Sequence, residues 1–182
     1  MSSDRGIWKW ADRLSNAPAE RFRLTLGEGG TPLVRSRRIG PQAGLTNLYF
    51  KLESANPSGS YKDRFAASAV SHMLARGKTN CLATSSGNTG AALAAACAVA
   101  GIPCHLAIVE PAPLGKLHQM LAYGANLHRI RGFGIDPAIT SDTFARLRRL
   151  GQNPARSLEV SAFAISPAGM NGVETLAYEL DA

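Results

Sequence analysis

No apolar run in this 182-residue sequence approaches the roughly 20 residues that a membrane-spanning helix needs. The longest weakly polar stretch, Ala91 to Ile102, is alanine-rich, short and interrupted by Gly101, so no membrane association is expected. The opening Met1-Ser2-Ser3-Asp4-Arg5-Gly6 lacks the basic-then-apolar form of a secretory signal. Cysteine is scarce: Cys81, Cys97 and Cys104 form no CxxC pair, and two of them fall in apolar, strand-like runs. They read as reduced core residues, which argues against a disulfide or zinc framework and leads to the expectation of a cytoplasmic protein without a metal. Neither GxGxxG nor GxxxxGK(S/T) occurs, so the dinucleotide fingerprint and the Walker loop are both absent.

What is present is globular. Hydrophobic residues make up 45% and charged residues 18%, enough for a sizeable core and too few charges for disorder. The net charge of +7 invites a nucleic-acid reading, but its distribution argues otherwise. Arg35, Arg37 and Arg38 form one cluster and Arg146, Arg148 and Arg149 another, and neither is interleaved with aromatics as single-strand binders require. A solvated basic face, or a small anionic ligand, is the expectation, with no nucleic-acid partner.

Residues 7–14 carry apolar positions at helical spacing and predict a short docking helix in which Trp8 and Trp10 are anchors. Leu26 to Val34 reads as a glycine-rich turn leading into a short strand. From Leu48 the pattern is regular: a strand (48–53), a helix (about 60–76) burying one stripe of Phe65, Ala66, Ala69, Val70, Met73 and Leu74, and a strand (80–84). An alanine-rich helix closed by Gly101 follows, then strands at 104–109, 126–130 and 157–160. The helices between them run from Lys116 to Tyr123 and from Pro137 to Leu150, the latter closed by Gly151, and a last helix spans 170–180. Strand starts recur about every 22–24 residues through the middle. That period is one β-loop-α-loop unit, so the expected fold class is α/β, a parallel sheet with helices on both faces.

Two loops then stand out, both expected beyond the C-terminal strand ends, where such sheets bind ligands. In Asn56-Pro57-Ser58-Gly59-Ser60-Tyr61-Lys62-Asp63-Arg64, Ser60 and Asp63 have the spacing of a capping box. That spacing puts Lys62 in the first helical turn. A cation there opposes the helix dipole, so Lys62 is either tolerated on the surface or present for chemistry. In Ser85-Ser86-Gly87-Asn88-Thr89-Gly90, small residues lead into a helix N-terminus, which suits an anion. The alternative is a plain N-cap with small packing residues.

The two motifs together resemble the fold-type II pyridoxal-phosphate enzymes, the group of the tryptophan synthase β chain, cysteine synthase and threonine dehydratase. Leu26 to Leu33 (LGEGGTPL), Gly115 to Met120 and Tyr123-Gly124-Ala125 are similar to threonine synthases in particular. The resemblance runs from about Ile7 to Leu180. It implies that Lys62 binds pyridoxal 5'-phosphate covalently and afterwards moves protons, and that Asn88 hydrogen-bonds the cofactor's 3-hydroxyl. Ser85, Ser86 and Thr89, together with Asn88, would hold the carboxylate of an amino-acid substrate. Lys116 would reach a substrate phosphate or else be solvated. The implied reaction converts O-phospho-L-homoserine to L-threonine, and the implied assembly is a homodimer.

The resemblance has two departures. Family members carry polar residues ahead of the last helix where this chain has Phe163, Ala164, Ser166 and Gly169, which leaves other β-replacement or elimination chemistries open. Such enzymes are also about twice as long. The expectation is therefore an N-terminal part: residues 1–55 from a large domain, 56–155 a smaller α/β domain with both motifs, and 156–182 the start of the return. A non-catalytic chain that associates with a partner is the alternative.

Overall fold

The computed structural model describes residues 5–182. Of the segment read for a secretory signal, Met1 to Asp4 lie outside the described residues. The chain enters through a 3-10 helix, Gly6–Arg13. Ile7 and Trp8 are buried there, and Trp8 Nε1 donates to the carbonyl of Leu24 at 2.6 Å. Both tryptophans are anchors, Trp10 packing against Tyr178 with ring centroids 5.9 Å apart. Strand β1 (Leu33–Arg35), a single helical turn α1 (Ile39–Gln42) and strand β2 (Tyr49–Lys51) follow. After these come α2 (Lys62–Ala75), β3 (Asn80–Thr84), α3 (Asn88–Ala100) and β4 (Cys104–Ile108). The chain continues through α4 (Leu114–Ala122), β5 (Asn126–Arg129), α5 (Pro137–Gly151), β6 (Arg156–Glu159) and α6 (Pro167–Asp181).

Four strands form a parallel sheet in the order β5-β4-β3-β6. Side chains alternate across it, as the strand period requires. Cys81, Ala83, Leu106 and Ile108 face a core shared with α2, α3 and α4, while Ala107 and Leu158 face Phe133 and Leu147, the latter on α5. The expected parallel sheet with helices on both faces is present.

Several expectations change. β2 does not belong to the parallel sheet: it pairs antiparallel with β1, Val34 opposite Phe50, in a separate two-stranded sheet. The lysine loop therefore does not follow a strand of the main sheet, whose fourth member is β6. Helix α2 is not amphipathic either. Every residue from Asp63 to Met73 is buried, because α6, α3 and the N-terminal segment surround it. A helix enclosed on all sides needs no polar face.

Helix α5 ends at Gly151, its last residue, although not in a left-handed turn; a Cβ there would stand 3.2 Å from Leu158 Cβ, so the glycine permits close packing onto β6. Helix α6 begins three residues earlier than expected, with Pro167 in its first turn, a position where proline loses no hydrogen bond. Its glycines let it approach α2. A Cβ on Gly172 would be 2.3 Å from the Arg64 carbonyl oxygen, and one on Gly169 would be 2.5 Å from the Phe65 ring.

Candidate active site

Lys62 is the first residue of α2. The capping box expected before it is not reciprocal. Ser60 Oγ accepts from the backbone N–H of Lys62 at 3.3 Å, and the Asp63 carboxylate reaches back past Ser60 to accept from the N–H of Ser58 at 2.9 Å. Asp63 is buried, and burial raises its pKa against the lowering influence of these bonds and of the Lys116 charge. The Lys62 side chain makes neither a hydrogen bond nor an ion pair among the described residues; its Nζ stands 4.3 Å over the ring of Tyr61. A lysine amine held on a ring face keeps its donors free for another partner.

The second loop joins β3 to α3. Ser85 Oγ accepts from the N–H groups of Gly87 and Gly90, at 3.2 and 2.9 Å, and so folds the loop on itself. Thr89 is buried, with its hydroxyl 2.9 Å from that of Ser161. Ser86 and the exposed Asn88 carry side chains without hydrogen bonds among the described residues. The N-cap, Gly87, supplies no side-chain cap. The N–H groups of Asn88 and Thr89, without partners among the described residues, are thus offered to an anion.

Helix α4 brings the two loops together. Gln119 Nε2 donates to the carbonyl of Ser58 at 3.0 Å in the lysine loop, and its neighbour Met120 lies against Gly90, where a Cβ would meet Met120 Cε at 2.8 Å. Lys116 donates from Nζ to Gln119 Oε1 at 3.0 Å, which places its charge beside the start of α2. Of the predicted site residues, Lys62, Ser86 and Asn88 carry polar side chains without a hydrogen bond among the described residues, and Lys116 is tied to Gln119. Ser85 and Thr89 shape the loop between β3 and α3.

The segment that departs from the family pattern is occupied elsewhere. Gly169 is buried in the α2–α6 contact, Phe163 is exposed, and Ser166 Oγ accepts from the N–H of Val160 at 3.0 Å.

Sequence reasoning missed the ion-pair network beneath the lysine loop. Arg64, fully buried, donates to Glu53 through Nε and Nη2, both at 2.8 Å, and to Glu179 through Nη1 and Nη2, at 2.7 and 2.9 Å. Glu179 also accepts from Lys51 and from the N–H of Gly30, both at 2.7 Å. Burial alone would raise the Glu179 pKa, but these donors bring it down to about 2, and Glu53 is lowered likewise. An arginine in the first turn of an otherwise apolar helix was the one available signal. Tyr61, Gln119 and Ser161 were missed as well, because their roles come from contacts across the fold.

A parallel α/β sheet, a lysine without a polar partner among the described residues at one helix start and a small-residue loop at another are features that suit an anionic small molecule bearing a carbonyl group. The sequence matches the family described as "Pyridoxal-phosphate dependent enzyme" over residues 24–182. The chain is 38% identical to a threonine synthase of Methanosarcina acetivorans, over 96% of this chain and 40% of that protein. It is 35% identical to one of Halalkalibacterium halodurans, over 99% of this chain and 48% of that protein. Among solved structures it resembles a pyridoxal 5'-phosphate-dependent aspartate racemase (28% identity, TM-score 0.68, 82% of this chain and 45% of that one). It also resembles a diaminopropionate ammonia lyase of Escherichia coli in fold (18% identity, TM-score 0.72, 88% and 49%). The chain belongs to the pyridoxal-phosphate-dependent enzyme family, with the fold-type II architecture. It spans less than half the length of these relatives. Among the described residues no helix is long and apolar enough to cross a membrane.

The residues present suit the cofactor of this family. An amine without an ion pair, an unbonded carboxamide and hydroxyl, and free N–H groups at a helix start are the donor set that an aldehyde with anionic oxygens requires.

Proposed function

We propose that this chain carries the lysine site of a pyridoxal-phosphate-dependent enzyme of the threonine synthase type, acting on O-phospho-L-homoserine to give L-threonine. The observation that carries the reading is the Lys62 amine, without hydrogen bonds among the described residues, at the start of a helix whose leading loop α4 ties to the Ser85–Gly90 loop. The threonine synthase relatives support the subfamily. When bound, the cofactor supplies an electron sink for a carbanion.

The chain's own residues then have distinct roles. Lys62 Nζ would hold the cofactor covalently and, when free, would accept and return a substrate proton. Asn88 would hold the cofactor by donating from Nδ2 to its ring hydroxyl oxygen. Ser86 and the N–H groups opening α3 hold the substrate carboxylate, while Ser85 and Thr89 keep that loop in shape. Lys116 stands on the side where a substrate phosphate would be neutralised. In this reading residues 56–155 form the smaller domain, and β6, just past that bound, adds the fourth strand to its sheet. Residues 1–55 and those that follow β6 contribute to the larger one, as the bonds from Gly30 and Lys51 to Glu179 suggest. The working protein is read as a cytoplasmic homodimer.

The test is to incubate the chain with pyridoxal 5'-phosphate, reduce with borohydride and map the adduct by peptide mass spectrometry. A single adduct on Lys62, absent in Lys62→Ala, is expected; a folded chain that gives no adduct there would overturn the assignment. Phosphate and threonine release from O-phospho-L-homoserine then tests the substrate. A second reading has one observation in its favour: Gly169 and Ser166 are committed to packing and backbone contacts, which removes donors expected to surround a phosphate. It is a β-elimination or β-replacement enzyme using serine, threonine or phosphoserine. Turnover of those substrates with none on O-phospho-L-homoserine would select it.

A further inference from the structure

Three thiols far apart in sequence converge in the core, at the N-terminal end of the two central strands and so opposite the Ser85–Gly90 loop. Cys81 on β3 and Cys104 on β4 are direct register partners, and Cys97 comes from the last turn of α3. Their Sγ atoms all lie within 4.8 Å of one another, all three residues are buried, and none forms a disulfide. Among the described residues no imidazole or carboxylate joins the group. The Cα positions are well determined by the fold: Cys81 N–H donates to the carbonyl of Pro103 at 3.0 Å. The Ile102 N–H donates to the carbonyl of Cys97 at 2.9 Å, across the left-handed turn at Gly101.

A metal ion about 2.3 Å from each of three sulfurs holds those sulfurs about 4 Å apart. The ring therefore needs to contract by less than about 1 Å, a side-chain adjustment. The chemistry of the ring selects the ion. Hard cations need oxygen ligands, and zinc held by three protein ligands needs a water as its fourth, for which a buried, apolar-lined ring offers no polar partner. Thiolate sulfur in a dry apolar pocket favours a soft ion that accepts three ligands. We propose that Cys81, Cys97 and Cys104 form a binding site for a soft monovalent metal ion, with Cu(I) as the ion bound. No electron moves: copper enters and remains as Cu(I), and each thiol that becomes a thiolate ligand releases its proton to solvent. The ring lies under the turn from Gly101 to Pro103, and local opening of that turn is the entry route. Bound ion ties β3, β4 and α3 together at the end of the unit whose other end is the Ser85–Gly90 loop.

The test is anaerobic competition between the reduced chain and bathocuproine disulfonate for Cu(I). The expected result is withdrawal of one equivalent of copper, an ultraviolet thiolate-to-copper band, and a higher melting temperature. Cys97→Ala lies in a run of buried alanines and Cys104→Ser is nearly isosteric. Each should lose the one-equivalent complex and the thermal shift while still forming the Lys62 adduct with pyridoxal phosphate. Circular dichroism checks that they fold, and Cys97→Ser replaces Cys97→Ala if it does not. A wild-type chain that leaves the chelator complex intact would overturn the proposal. So would copper uptake in both variants that equals that of the wild type, the result expected of three cysteines that merely fill the core.

Discussion

Replacing Arg64 with methionine tests the most concentrated set of interactions in the molecule. The substitution keeps the volume near that of the buried stem but removes four charge-assisted hydrogen bonds to Glu53 and Glu179, plus one at 3.1 Å to Thr175. Breaking a buried pair by removing one partner costs about 3–5 kcal/mol, because the remaining charge is left uncompensated. Both carboxylates retain other donors: Lys51 and Gly30 for Glu179, Thr31 and Asn56 for Glu53. The lower half of that range is therefore expected, about 3–4 kcal/mol, a large share of the roughly 5–15 kcal/mol available to a domain.

Urea denaturation followed by tryptophan fluorescence measures it. With a slope of about 2 kcal/mol per molar urea, the midpoint should fall by about 1.5–2 M. Arg64→Lys should lie between, since one ammonium cannot serve two carboxylates in bidentate fashion. The pH dependence has a definite sign. Glu179 is depressed from 4.5 to about 2, so its contribution is present above pH 4.5 and is lost as pH falls toward 2. The gap between wild type and Arg64→Met should narrow across that interval. A loss below about 1 kcal/mol at pH 7, or a gap that widens in acid, would refute the reasoning.

Gly172→Ala should destabilise by about 1–3 kcal/mol, because its Cβ would meet a backbone oxygen that cannot rotate away; thermal melts measure this. Glu28→Ala should release the N-terminal helix. Glu28 accepts from the N–H groups of Ile7 and Leu26, at 3.2 and 2.9 Å, and leaving a buried N–H unpaired costs about 1–3 kcal/mol. Faster proteolysis near Trp8 would reveal it. Asn88→Ala should leave stability within about 0.5 kcal/mol, since the side chain is exposed and unbonded. It should weaken retention of pyridoxal phosphate on gel filtration; retention equal to wild type would remove Asn88 from the site.

Much of this was legible in the residues. The order of helices and strands from β3 onward, the left-handed Gly101 that closes α3, and the alternation of β3 and β4 follow from local sterics and short-range hydrogen bonding. The lysine and serine loops were legible as motifs for the same reason: each is a short run whose loop-to-helix form depends on its own residues. Tertiary structure decided what depends on distant partners. β6, and not β2, completes the parallel sheet; α2 is enclosed on every side, so its pattern carries no stripe. Position 169 turns out to be a packing contact, and α4 joins two loops that no strand of the main sheet carries together. Arg64 meets Glu179 across 115 residues, and three cysteines without a motif form a ring. Burial and charge pairing act through space, so a linear pattern shows which residues are able to fold locally but not which ones the fold brings into contact.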